Sequence, residues 1–144
     1  MTNLRKYITL KNLDVPKPKI LKIKLQKWLP AGGHIDQGEM PHQSAKREVL
    51  EETGIVANFT EIQILDQNSI ALLNPFTTFL QVIEDKNRKH LHLDFAFKMT
   101  ANDTQELLQN KLETNGVGWF DFAQIQDLNV FPSVLNFGKN NLKN

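Results

Sequence analysis

The sequence predicts a single α+β domain spanning residues 1–144. Three observations predict it: several segments with the two-residue alternation of strands, one helix with clear start and stop signals, and no linker or internal repeat to divide 144 residues. Tyr7 to Leu10 reads as a first strand, followed by a turn around Pro16 and Pro18. Leu21 to Gln26 alternates apolar and polar residues, the pattern of a half-buried strand, and Leu29 to Gly33 then opens a loop. Pro41 suits the first turn of a helix, where its missing N–H costs nothing, and Gly54 suits the position just past its end. The helix is therefore set at Pro41 to Thr53. Ile62 and Ile64 suggest another strand, and Phe76 to Ile83 with His90 to Met99 a hairpin. Ala101 to Asn115 is polar and reads as a long loop, with a helical turn conceivable from Glu106 to Leu112. Val117 to Phe120 is a short strand, Phe122 to Leu128 a short helix, and Ser133 to Asn141 a last helix.

Composition narrows the chemistry. Seventeen Lys and Arg against sixteen Asp and Glu leave a formal charge of +1, so nothing in the balance calls for nucleic acid or an anionic membrane. The basic stretch from Lys17 to Lys27 reads as a solvated strand face. With no cysteine, disulfides, thiolate nucleophiles and cysteine-ligated zinc are excluded. No apolar run approaches the roughly 18–20 residues of a membrane span, and the start lacks the apolar core of a secretion signal. A cytoplasmic chain with no membrane or nucleic-acid partner is the expectation.

The helix carries its charge in an unfavourable place. Glu48, Glu51 and Glu52 crowd its last two turns, where residues three and four apart share a face. The backbone dipole is negative there and disfavours each carboxylate by about 0.3–1 kcal/mol. Arg47 can reach Glu51, although a base preceding an acid is the poorer order for such a pair. A sequence serving the fold alone would avoid this arrangement, so a functional demand is expected. A divalent cation answers it, because Mg²⁺ takes hard oxygen ligands from carboxylates and phosphates. A merely solvated acidic face is the alternative.

From Gly32 the chain reads GGHIDQGEMPHQSAKREVLEETGI. Gly33, Glu39, Arg47, Glu48, Val49, Glu51, Glu52, Gly54 and Ile55 fill every fixed position of G-x5-E-x7-R-E-U-x-E-E-x-G-U, where U is aliphatic. This resembles the signature of the Nudix hydrolases. Trp28-Leu29-Pro30 is similar to that family's lead-in to the box, and Trp119-Phe120 to its later tryptophan strand. The N-terminal strand is shorter and richer in lysine than the family's pattern. The resemblance implies a mixed central sheet flanked by helices, an α/β/α sandwich containing a loop-helix-loop box. It also implies hydrolysis of a phosphoanhydride bond in a nucleoside diphosphate linked to another moiety, or in a nucleoside triphosphate. Mg²⁺ is the implied cofactor, with Mn²⁺ as a substitute. Its implied ligands are Glu48, Glu51, Glu52 and the carbonyl of Gly32, with Glu48 helping to deprotonate water. Arg47 is implied to orient the carboxylates and Glu39 to support the site. The family often recruits one more acid before the tryptophan strand. Glu113 is the candidate, ahead of Glu106 and Asp103. A homodimer is an expectation from family analogy alone.

Alternation puts His90, His92 and Asp94 on one strand face, opposite Leu91, Leu93 and Phe95. With His34 they are candidates for contact with substrate phosphate or base. A separate metal site and a plain, partly exposed polar face remain alternatives. Trp28, Phe76 and Phe131 are candidate base-stacking aromatics. Two other functions stay open: a non-catalytic nucleotide-sensing module and a different diphosphate reaction on the same scaffold.

Overall fold

The computed structural model describes residues 3–10, 19–24, 26–59, 66–67, 69, 72–85, 88–102 and 104–141. The turn at Pro16 and Pro18, the strand at Ile62 and Ile64, and Asp103 lie outside these. In chain order the elements are β1 (Asn3–Leu10), β2 (Lys19–Lys24), β3 (Lys27–Pro30), α1 (Pro41–Thr53), β4 (Ala57–Asn58) and β5 (Thr77–Asp85). They continue with β6 (Arg88–Ala101), β7 (Val117–Phe120), α2 (Phe122–Gln126) and α3 (Pro132–Asn141).

The long strand β6 organises a mixed four-stranded sheet. Parallel β1 flanks it from Asn3 opposite His92 to Leu10 opposite Met99, and antiparallel β5 from Asp85 opposite Arg88 to Thr77 opposite Ala96. The short β4 prolongs the sheet beside Thr100 and Ala101. A second, antiparallel sheet has the order β3-β2-β7. The hairpin is longer than its sequence suggests. Glu84 and Lys89 face one another in the ladder and pair at 2.6 Å, so residues read as loop extend both strands instead.

Helix α1 keeps its predicted bounds, with Pro41 in its first turn. The Gln43 side chain accepts from the Met40 N–H at 2.9 Å. At the other end Gly54 takes φ 73° and donates to the Leu50 carbonyl at 2.9 Å. A Cβ on Gly54 would lie 2.6 Å from the Leu108 Cβ. Both backbone and space therefore demand glycine. Gly54→Ala is expected to cost more than about 1 kcal/mol, seen as a lower midpoint in thermal unfolding.

Ala45 and Val49 of α1, Ala57 of β4 and Phe97 and Met99 of β6 form the first core cluster, with Ala31 and Ile55 from the connecting segments. Leu21, Ile125 and Val130 form a second, against which Trp28 and Phe120 pack edge to face at 4.7 Å. No described helix is long and apolar enough to cross a membrane.

The described residues from Asn102 to Gly116 form no helix; turns lie at 104 and at 111–113. The segment docks on the end of α1, where backbone carbonyls lack partners within the helix. Leu108 N–H donates to the Thr53 carbonyl at 2.8 Å, and Asn110 N–H reaches that of Glu52 at 3.5 Å. The Gln105 side chain fastens both backbone groups of Val56, at 2.8 and 3.2 Å.

Candidate active site

The buried face of α1 consists of Ser44, Ala45, Glu48, Val49, Glu52 and Thr53. These fall in two neighbouring rows spaced by four residues. Ala45, Val49 and Thr53 form one, with the two apolar members in the core; Ser44, Glu48 and Glu52 form the other. Two carboxylates are thereby carried inward by the packing of their neighbours. Glu51, one step round the helix, is 46% exposed on its side chain. The three glutamates do not converge equally.

The docked loop brings a third acid to the buried pair. Carboxylate oxygens of Glu48, Glu52 and Glu113 lie within 4.8 Å of one another, the one such group of potential metal ligands found among the described residues. Thr114, buried beside Glu113, anchors the turn by donating to the Asn110 carbonyl at 3.0 Å from its hydroxyl and 2.9 Å from its N–H. Gly33 makes the necessary room. A Cβ there would sit 2.3 Å from Glu48 Oε1. An all-oxygen set of three carboxylates suits Mg²⁺ or Mn²⁺ in charge and hardness, so the residues fit the metal that the sequence implies.

The cluster is not left with its own repulsion. Arg47 binds Glu39 through two parallel contacts, Nε to Oε1 at 2.9 Å and Nη2 to Oε2 at 3.0 Å. Its Nη1 reaches Glu48 at 3.0 Å and Glu51 at 2.8 Å. Nη2 also donates to the His34 carbonyl at 3.1 Å, tying the box loop to the helix. Lys22 supplies the second cation. Its ammonium contacts Glu52 and donates to the Gly32 carbonyl at 2.7 Å. The other oxygen of Glu52 accepts from the Gly32 N–H at 3.0 Å. The acids that looked tolerable only around a metal thus have two resident counter-charges, and a metal must share or replace them.

These contacts set the protonation behaviour. The Arg47 hydrogen bonds, against a smaller opposing effect of burial, pull the Glu39 carboxyl from 4.5 down to about 2. Glu39 in turn holds Arg47 more firmly protonated. Burial pushes Glu48 and Glu52 upward, opposed by Arg47 and Lys22 respectively. A lowered carboxyl pKa contributes stability above the unfolded value and loses it as pH falls through the folded one. The gap in unfolding free energy between wild type and Glu39→Gln should therefore shrink from pH 4.5 to about 2. A flat difference in urea titrations across that range would contradict the pairing.

The histidine strand differs from a partly exposed polar face. His92 and Asp94 are fully buried, whereas Leu91, on the opposite face, is 42% exposed. The His92 ring lies 6.0 Å from that of His34 and 4.8 Å from that of His90. His34 is exposed and His90 half-buried. These residues do not join the metal-ligand group. Asp94 and His92 oppose Phe79 and Gln81 across the ladder, so all four share one sheet face.

A cavity of about 340 Å³ lies over that face, lined by Thr77, Phe79, Gln81, Ser133, Asn136 and Phe137, among others. Pro30, two residues before Gly32, forms part of its wall. Of the aromatics singled out in the sequence, Trp28 belongs to the second core cluster. Phe76 packs on Phe137 at 5.8 Å, and Phe131 lies under Lys27 at 5.1 Å. Sequence reasoning missed Phe79, Phe137 and Asn136 as cavity residues. Phe79 was read only as part of the hairpin strand, and nothing local showed that α3 would line a cavity with it. Lys22 was missed too: β2 is the middle strand of its sheet, and Lys22 is only 2% exposed rather than solvated.

Comparison with known proteins agrees with this architecture. The chain is 28% identical over 110 residues to the RNA pyrophosphohydrolase of Bartonella bacilliformis. That match covers 75% of this chain but only 62% of the relative. The structure of a NUDIX family hydrolase from Clostridium perfringens superposes with a TM-score of 0.72 at 21% identity, covering 96% of this chain and 95% of that one. The E. coli dihydroneopterin triphosphate pyrophosphohydrolase gives 0.69 at 14% identity, covering 96% and 94%. The family model for the NUDIX domain matches residues 16–137, and with that span the chain belongs to the NUDIX domain family.

Proposed function

We propose that the protein is a Mg²⁺-dependent hydrolase of phosphoanhydride bonds in a nucleoside diphosphate linked to another moiety, or in a nucleoside triphosphate, with Mn²⁺ as a working substitute. The convergence of Glu48, Glu52 and Glu113 within 4.8 Å carries this reading. Those three would hold the metal with the Gly32 carbonyl, and Glu51 would join them on leaving Arg47. When bound, the metal supplies charge neutralisation at the phosphates and a more acidic water.

The remaining work falls to positioning. Arg47 fixes Glu48 and the box loop through His34. In the step itself a water oxygen bonds to one phosphorus, and the bridging oxygen leaves with the other phosphoryl group. The water's proton passes to Glu48, the carboxylate that Arg47 holds in place. The cavity beside Pro30 accepts the organic moiety. Its volume falls in the small-molecule range, the rings of Phe79 and Phe137 suit a flat heterocycle, and the Asn136 amide offers both a donor and an acceptor. Beneath it, His92 and Asp94 support the face on which Phe79 and Gln81 stand.

Purified protein with Mg²⁺ and then Mn²⁺ should be tested against nucleoside triphosphates, dinucleoside polyphosphates, ADP-ribose, nucleotide sugars and a 5′-triphosphorylated RNA oligomer. The last follows from the Bartonella relative. Turnover of at least one compound, with cleavage located between phosphorus atoms, is expected. No turnover of any under either metal overturns the proposal. On the substrate found, Phe79→Ala should raise KM about tenfold, the loss of one ring stacked on a base, with a smaller change in kcat.

A further inference from the structure

We propose that Lys22 is a built-in counter-cation of the acidic site, holding Glu52 and the Gly32 carbonyl in the metal-free protein and giving them up as the divalent ion binds. The inference rests on the metal reading above and goes beyond it.

Two observations on different parts of the chain carry it. From β2, the Lys22 ammonium reaches Glu52 Oε1 and lies 2.7 Å from the Gly32 carbonyl oxygen. From α1 and the docked loop, Glu52 stands in the only described carboxylate group close enough to share an ion. The ammonium therefore holds the Glu52 carboxylate and the Gly32 carbonyl, two groups that the metal reading assigns to the divalent ion. Lys22 and Glu52 are 2% and 1% exposed, so neither has bulk water to replace the other. Removing either partner would leave an uncompensated buried charge.

The two cations cannot share these oxygens cheaply. Mg²⁺ sits about 2.1 Å from its ligands, and an ammonium hydrogen-bonded to the same atoms would face it at close range with little solvent between them. The lysine stem has four rotatable carbons, so its head can move while its base stays in β2. Arg47 is placed differently. It holds Glu39, which is not a proposed ligand, through two parallel contacts and can keep those when a metal enters.

The test uses the full chain, with Mn²⁺ as the probe. Titration calorimetry would compare metal-free wild type, Lys22→Met and Lys22→Gln, alongside thermal unfolding with and without Mn²⁺. Wild type should bind Mn²⁺, and the variants should bind it at least about tenfold more tightly, having no ammonium to displace. Their metal-free midpoints should fall, and Mn²⁺ should raise them by more than it raises wild type. Lys22→Gln keeps a polar head and serves where Lys22→Met does not fold. In crystals of Mn²⁺-loaded wild type, Nζ should lie beyond hydrogen-bonding distance of the Gly32 oxygen.

Variant affinity equal to or weaker than wild type overturns the proposal, as does an Nζ still bonded to Gly32 in the loaded crystal. Either result, with Mn²⁺ bound to wild type, leaves the metal reading intact and makes Lys22 a permanent brace. Wild type that binds no Mn²⁺ overturns both.

Discussion

Glu52→Gln is expected to reduce turnover on the order of 10²- to 10³-fold, the scale for losing one preorganised charge in a reacting site. The same change should cost about 3 kcal/mol in the metal-free protein, because it leaves the Lys22 ammonium buried opposite a neutral amide. Glu113→Gln offers the contrast. Its carboxylate shares the same ligand group but is exposed. Activity should fall comparably while stability stays within about 0.5 kcal/mol, as for most surface changes. Measuring kcat/KM with urea unfolding on both variants separates the role in the site from the role in the fold. A Glu52→Gln enzyme within about threefold of wild type would reject the metal assignment, since such a change is under 1 kcal/mol.

Gly33→Ala should share the profile of Glu113→Gln, with activity lost and fold kept. The added methyl would meet Glu48 Oε1 at 2.3 Å and Cδ at 2.5 Å. Those atoms end a flexible side chain, so the carboxylate swings aside and the backbone stays. Gly33 is not among the residues with positive φ, so alanine brings no backbone strain. Displacing Glu48 by an ångström or more should lower kcat about 100-fold, weaken Mn²⁺ binding and leave the thermal midpoint nearly unchanged. Undiminished kcat would mean that Glu48 need not stand where it does. The sequence resemblance singled out Gly32 for its carbonyl; the geometry adds a demand at Gly33, for space rather than conformation.

The parts legible in advance were those written in local chemistry. Pro41 and Gly54 bound α1 by the missing N–H of one and the left-handed conformation of the other. The spacing of Glu48 and Glu52 placed both on one face, and alternation along β6 sorted its residues correctly into two faces. Alternation could not say which face would be covered. The apolar Leu91, Leu80 and Val82 are exposed on the hairpin, while His92 and Asp94 are inside. The parts hidden from the sequence depended on distant chain. Lys22 looked solvated because β2 alternates, yet β3 and β7 flank it on both sides. Glu51 looked equivalent to its neighbours, but the core takes only the rows through Ala45 and Ser44. Glu113 was named from the family pattern; its approach to Glu48 and Glu52 depends on amide contacts that no local spacing encodes.

The anchoring of the Asn102–Gly116 segment on α1 has a consequence for chimaeras. A hybrid joining the first half of this chain to the second half of a relative would inherit the helix acids but not the geometry that delivers the third. Leu108 and Asn110 act as fixed pegs, and the register from them to Glu113 would have to be transplanted intact. Leu112, 97% exposed between peg and acid, is where sequence drift meets least resistance.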